Sequence, residues 1–158
     1  MRQSEGQILA EELAALGGAS GGTGRLVGVV AKLMRNNVHE IDLRLPLPFD
    51  DAVGVVSDVL GAAGHPVETP PVGSASGGDE SQGDRTIRVV ADGGAGGLNP
   101  VVVTARVLGA DEGSSEVWLR GAAKEGLIKQ RAGEEVVVRL AALLATAAGA
   151  TGAAGQGG

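Results

Sequence analysis

Val38-His39-Glu40-Ile41-Asp42-Leu43-Arg44-Leu45-Pro46-Leu47 decides the reading of this chain. From Ile41 to Leu47 every odd position is a branched aliphatic residue, with Asp42, Arg44 and Pro46 between them. A period of two sends alternate side chains to opposite faces, so this is a strand with one apolar and one polar side. Three downstream segments obey the same rule. Over 85–91, Ile87, Val89 and Ala91 point inward, and Thr86, Arg88 and Val90 outward. Over 100–108, Val103, Ala105 and Val107 point inward, against Thr104 and Arg106. Over 115–122, Val117, Leu119 and Gly121 point inward, against Glu116, Trp118 and Arg120.

Between and after these strands the period becomes helical. Asp50 precedes a helix over 51–63 with the stripe Val53, Val56, Leu60 and Ala63, which Gly64 and Pro66 end. A weak strand at 66–72 carries prolines that confine it to a sheet edge. The segment 132–148 is a helix with Glu134 and Glu135 in its first turn, where the dipole favours acids, and the stripe Val136, Leu140, Leu143, Leu144 and Ala147. Upstream, Ser4 and Gln7 form a capping box for a helix over 5–16 with Leu9, Leu13 and Leu16 on one side. Residues 25–35 repeat the pattern with Leu26, Val29, Val30, Leu33 and Met34, and Asn36-Asn37 then suit a left-handed stop.

The glycine-rich stretches divide the chain. The expected organisation is a helical N-terminal arm, 1–37, with a linker at 17–24, then a domain at 38–148 with a mobile loop at 73–84, then a disordered tail at 149–158. A glycine-rich turn over 92–99 joins two strands. The element order within the domain is β-α-β4-α. Short turns between the later strands make an antiparallel meander. Each helix has one apolar stripe to bury, so both must cover one sheet face. The expected class is α+β, a four- to five-stranded antiparallel sheet with helices on one face, preceded by the helical arm.

In the order of its elements, 38–148 resembles one half of the TATA-box-binding protein. It is also similar to the core of helix-grip domains of the START and pollen-allergen type. The resemblance lies in element order, with no shared motif, so it carries no site residue over. Helix-grip domains bind lipids and other apolar ligands. The resemblance therefore implies a carrier of a small amphipathic or anionic ligand held between helices and sheet.

Composition excludes several classes. Cysteine is absent, so disulfides, thiolate metal sites and cysteine nucleophiles are ruled out. No run approaches the ~18 uncharged apolar residues of a membrane span. The first residues lack the apolar core of a secretory signal, so a cytoplasmic location is expected. The chain holds 13 Lys+Arg against 19 Asp+Glu, a net charge of −6. Net acidity and the scarcity of stacking aromatics make nucleic acid an unlikely partner. Gly18-Ala19-Ser20-Gly21-Gly22-Thr23-Gly24 resembles the GxxGxxG loop of short-chain dehydrogenase/reductase relatives. That loop needs a buried strand directly upstream. Here Ala10–Leu16 is charged and helical in period, so the stretch reads as a linker and no cofactor is expected.

Two sets of polar residues stand out. Each of the four clear strands puts one arginine on the helix-free face: Arg44, Arg88, Arg106 and Arg120, with Trp118 among them. Trp and Arg are enriched at interface hot spots. The second set, Lys124, Lys129 and Arg131, falls in the connection before the last helix, where an anion can bind. His39 and His65 are the only histidines, and no catalytic set is visible. The leading expectation is a non-catalytic interaction module, a homodimer or a binder of a protein partner, working through the helix-free face. The ligand carrier is the alternative.

Overall fold

A computed structural model describes residues 4–19, 35–67, 83–93, 99–125 and 131–154. Its elements are α1 (Glu5–Ala19), β1 (Arg35–Leu45), α2 (Phe49–Ala63), β2 (Gly64–Pro66), β3 (Asp84–Gly93), β4 (Asn99–Asp111), β5 (Ser114–Glu125) and α3 (Ala132–Ala154). The strands form one antiparallel sheet in the order β1-β5-β4-β3-β2. This is the α+β class, with the β-α-β4-α order that the alternation predicts.

The odd positions build the main core. Leu45, Val89, Val101, Val103, Ala105, Val107, Val117 and Leu119 are buried against Val56 and Leu60 of α2 and Val136, Val137, Leu140 and Leu144 of α3. Helix α3 reaches the sheet through a glycine contact. A Cβ on Gly121 would collide with Val137 Cγ2 and lie 2.8 Å from the Gly133 carbonyl oxygen. Only a missing side chain lets the helix backbone come this close. At this point α3 and β5 leave no space between them.

The even positions form the opposite face, and it is not free of helix. Ile8 and Leu9 of α1 are buried against Val90, Val102 and Ala122. The capping box starts that helix as its sequence predicts: the Ser4 amide donates to Gln7 Oε1 at 3.0 Å, and the Gln7 amide to Ser4 Oγ at 3.3 Å. The buried arc is Ile8, Leu9 and Ala10, with Leu13 half-buried, so it is rotated from the expected leucine stripe.

Several boundaries differ from expectation. Asn36 and Asn37 do not stop a helix; they pair with Lys124 and Ala123 as part of β1. Cross-strand pairing here overrides local turn preference. Gly64 is extended, with φ −171°, and opens β2. A Cβ there would sit on the Val90 carbonyl oxygen, so close approach of β2 to β3 is what requires glycine. Helix α2 begins at Phe49 after Pro48, with no side-chain cap; Asp50 and Asp51 occupy its first turn. Gly17-Gly18-Ala19 extend α1, and Gly149–Ala154 extend α3. Alanine in that last stretch has the highest helix propensity. Of the helix expected over 25–35, Arg35 instead opens β1 and the rest lies outside the described residues, as do the linker from 20 to 24, the loop from 73 to 82, the strand beyond Val67 and the tail from 155.

Candidate functional site

Helices α2 and α3 separate above the end of β3 and leave a cleft of about 480 Å³. Val59, Ala62 and Ala63 form one wall, at i, i+3 and i+4 of α2. Val136 and Leu143 form the other, at i and i+7 of α3, and Asp92-Gly93 form the floor. A Cβ on Gly93 would lie 2.7 Å from Val101 Cγ2 and 3.2 Å from Val136 Cγ2, so the floor depends on that glycine. Leu143, expected on the buried stripe of α3, is instead 49% exposed, as is Val138 on the same helix at 50%.

Two charged residues share the α3 wall. Glu135 and Arg139 are one turn apart, and both line the cleft. Neither has an ion-pair partner among the described residues. The cleft thus combines apolar walls with two open carboxylates, Asp92 on the floor and Glu135 on the wall, and one open guanidinium, Arg139. Small-molecule sites have this composition and run to ~300–1,000 Å³. A larger depression, about 630 Å³, lies at the other end of the sheet. It is lined by Phe49, Asp50, Gly83, Gly109, Ala110 and Asp111, so Phe49 is its one large apolar side chain. Asp111 there is already engaged.

The four strand arginines do share one face. The registers place Arg88 opposite Thr104, Thr104 opposite Arg120, Arg106 opposite Trp118, and Arg44 opposite Glu116. Each arginine has an internal partner. Arg44 donates to Asp111 Oδ2 at 2.8 Å and Ser114 Oγ at 2.9 Å. Arg106 grips both oxygens of Asp84. Arg88 Nε donates to Thr104 Oγ1 at 3.1 Å. Arg120 donates to Glu5 of α1 at 3.1 Å and to Glu40 of β1 at 2.6 Å.

The titrations follow these contacts. The Arg106 hydrogen bond holds Asp84 below the ordinary carboxyl value, and Asp84 raises Arg106 in return. Bonds from the Ser114 hydroxyl and the Gly113 amide, helped by Arg44, lower Asp111. Burial alone would lower Arg120, but Glu5 and Glu40 together raise it.

The second expected set is not gathered in one loop. Lys124 belongs to β5, is 6% exposed and lies under the start of α1, with Nζ beside Gly6. Arg131 precedes α3 and faces Glu134 at 3.7 Å. Lys129 lies outside the described residues. His65 sits 3.3 Å from Glu12 on α1. Among the described residues no group of His, Asp and Glu is placed to hold a metal ion. No helix among them is long and apolar enough to cross a membrane.

Comparison with known proteins adds little. No family model and no curated protein matches the chain. Among solved structures it is similar to the Zhui aromatase/cyclase from Streptomyces sp. R1128, with 19% identity over 72% of this chain and 92% of that one and a TM-score of 0.37. A likeness at that level assigns no activity to this chain. The expectation of a non-catalytic interaction module on a helix-free sheet face is nevertheless corrected. Helix α1 occupies the face that was to be open.

Sequence reasoning missed Arg139 and Glu135 as site residues. A signal existed: Arg139 is the only basic residue of α3, and it stands on the edge of the apolar stripe. The proximity of α2, which turns that edge into a wall, is not encoded in any local pattern.

Proposed function

We propose that this chain binds and carries a small amphipathic molecule in the cleft between α2 and α3. The observation that carries the reading is the pairing of apolar walls with Arg139 and Glu135 on one side of α3, neither with an ion-pair partner among the described residues. The apolar body of the ligand lies against Val59, Ala63, Val136 and Leu143. Its polar end gives an acceptor to Arg139 and a donor to Glu135. A guanidinium beside a carboxylate suits a ligand with both functions better than a bare anion, which Glu135 would repel. The ligand enters between the helices, away from the close contact that joins α3 to the sheet at Gly121 and Gly133.

The test uses anilinonaphthalene sulfonate, an amphipathic aromatic anion, as a fluorescent probe. Saturable one-to-one binding is expected. Ala63→Trp, which fills the cleft, and Leu143→Asp should each weaken it at least tenfold. Near-ultraviolet circular dichroism must stay native, since loosely packed states also take up such dyes. Equal binding by the native protein and Ala63→Trp would overturn the reading. Native mass spectrometry of gently purified protein should show a retained mass that Ala63→Trp loses.

A further inference from the structure

The face that carries α1 has a second opening, independent of the α2–α3 cleft. A groove of about 370 Å³ runs beside Trp118, lined by Leu108, Asp42, Glu116 and Arg44. Asp42 is directly opposite Trp118 in the β1–β5 register, and Glu116 is two residues before Trp118 on the same face. Directly opposed residues on one face are ~4.5–5.5 Å apart at Cβ, so indole and carboxylates border one small space.

Charge within this space is unbalanced for a specific reason. The natural partner of Glu116 is Arg44, its cross-strand neighbour. Arg44 instead turns toward Asp111 and Ser114 at the β4–β5 turn. The other flanking cation, Arg106, is held by both oxygens of Asp84. Asp42 and Glu116 are therefore left without a hydrogen bond or ion pair among the described residues, and no described side chain makes a ring contact with the indole. The two nearby guanidiniums are each neutralised by their own carboxylate. What borders the groove is an aromatic ring, the carboxylates of Asp42 and Glu116, and Arg44, whose charge is matched by Asp111 outside the groove.

We propose that this groove is a binding site for a small organic ammonium cation. The ring face attracts the cation through its quadrupole, and Asp42 and Glu116 supply the opposite charge. Leu108 covers the alkyl groups. A methylated ammonium fits better than an inorganic cation, because the groove offers only two carboxylates as oxygen donors and an apolar floor, far from the oxygen cage that a hard metal ion needs. The same ammonium chemistry occurs in free amines and in choline lipid headgroups, and the two are separated experimentally below.

Trp118 is the only tryptophan, so its fluorescence reports on this groove alone. Titration of the full chain with tetramethylammonium chloride should change that fluorescence saturably, with half-effect at millimolar concentration. Sodium chloride at the same ionic strength should leave it unchanged. Asp42→Asn and Glu116→Gln should each weaken the response about tenfold, and the double variant should lose it. These side chains are exposed, so thermal unfolding of the variants should match the native protein. Saturation-transfer NMR on the probe's methyl protons should show contact in the native protein and none in Trp118→Ala. Phosphatidylcholine vesicles that shift the spectrum where free tetramethylammonium also does would add the lipid source; no vesicle response would restrict the site to free amines. An identical response to sodium, or unchanged binding in the double variant, would overturn the proposal.

Discussion

The two faces of the sheet are closed by different means. On one, α2 and α3 lie over a continuous aliphatic layer, with helix backbone touching strand backbone at Gly121. On the other, a single helix seals one row of small side chains, Val90, Val102 and Ala122, with Ile8 and Leu9. Polar contacts add to this hold, among them Glu5 on Arg120 and Glu12 near His65. Burial of aliphatic area gives ~25 cal/mol per Å², whereas exposed ion pairs contribute little. The first face therefore sets global stability. The second is held more lightly, and its uncovered rows are where polar and aromatic groups stay accessible.

The contrast is broken most severely at Gly121. Gly121→Val must displace Val137 or the Gly133 carbonyl, so α3 cannot seat. A loss of about 3 kcal/mol or more is expected in urea unfolding, at the upper end for overpacked cores. Next come two deletions of equal chemistry, Leu140→Ala and Leu9→Ala, both at fully buried positions. Leu140→Ala should cost about 2–5 kcal/mol of global stability. The global loss for Leu9→Ala should be smaller, because release of α1 caps it. Hydrogen exchange should then show α1 amides losing protection while β3, β4 and β5 keep theirs. Equal global losses would mean that the faces unfold as one unit.

Arg120→Gln sharpens the comparison at a lower energy. Its side chain is 31% exposed and that of Glu5 17%, so the pair is only partly screened. A loss of about 1–2 kcal/mol is expected, with exchange rising in α1 and, through the lost Glu40 bond, in β1. The smallest effect is pH dependence from Asp84 and Asp111. Both are lowered in the folded state, so their contribution is complete above the ordinary carboxyl value and drains as pH falls through their folded values. Stability of the native protein should decline below about pH 4 more than that of Asp84→Asn/Asp111→Asn.

The sheet was legible because alternation is a direct consequence of strand geometry. Once Ile41, Leu43 and Leu45 take one side, Arg44 must take the other, and registers then align Arg106 with Trp118. The docking of α1 was not legible. A short amphipathic helix carries no address for the surface it covers. The hint lay in the strands, where Val90, Val102 and Ala122 break the polar pattern of the outward face in a single row. Asn36 and Asn37 misled because turn preference is local, whereas their pairing with β5 joins residues far apart in sequence. The α2–α3 cleft escaped for a related reason. Val59 and Arg139 come together only after two helices have been laid side by side, and spacing within either helix does not say where they part.

The bond between Glu5 and Arg120 spans 115 residues of chain. At ribosomal rates of ~5–20 residues per second, α1 is synthesised on the order of ten seconds before β5, which completes its docking surface. The earliest described helix thus waits for a strand made more than a hundred residues later. Its buried leucine and isoleucine spend that interval exposed to whatever chaperone or membrane surface surrounds the nascent chain.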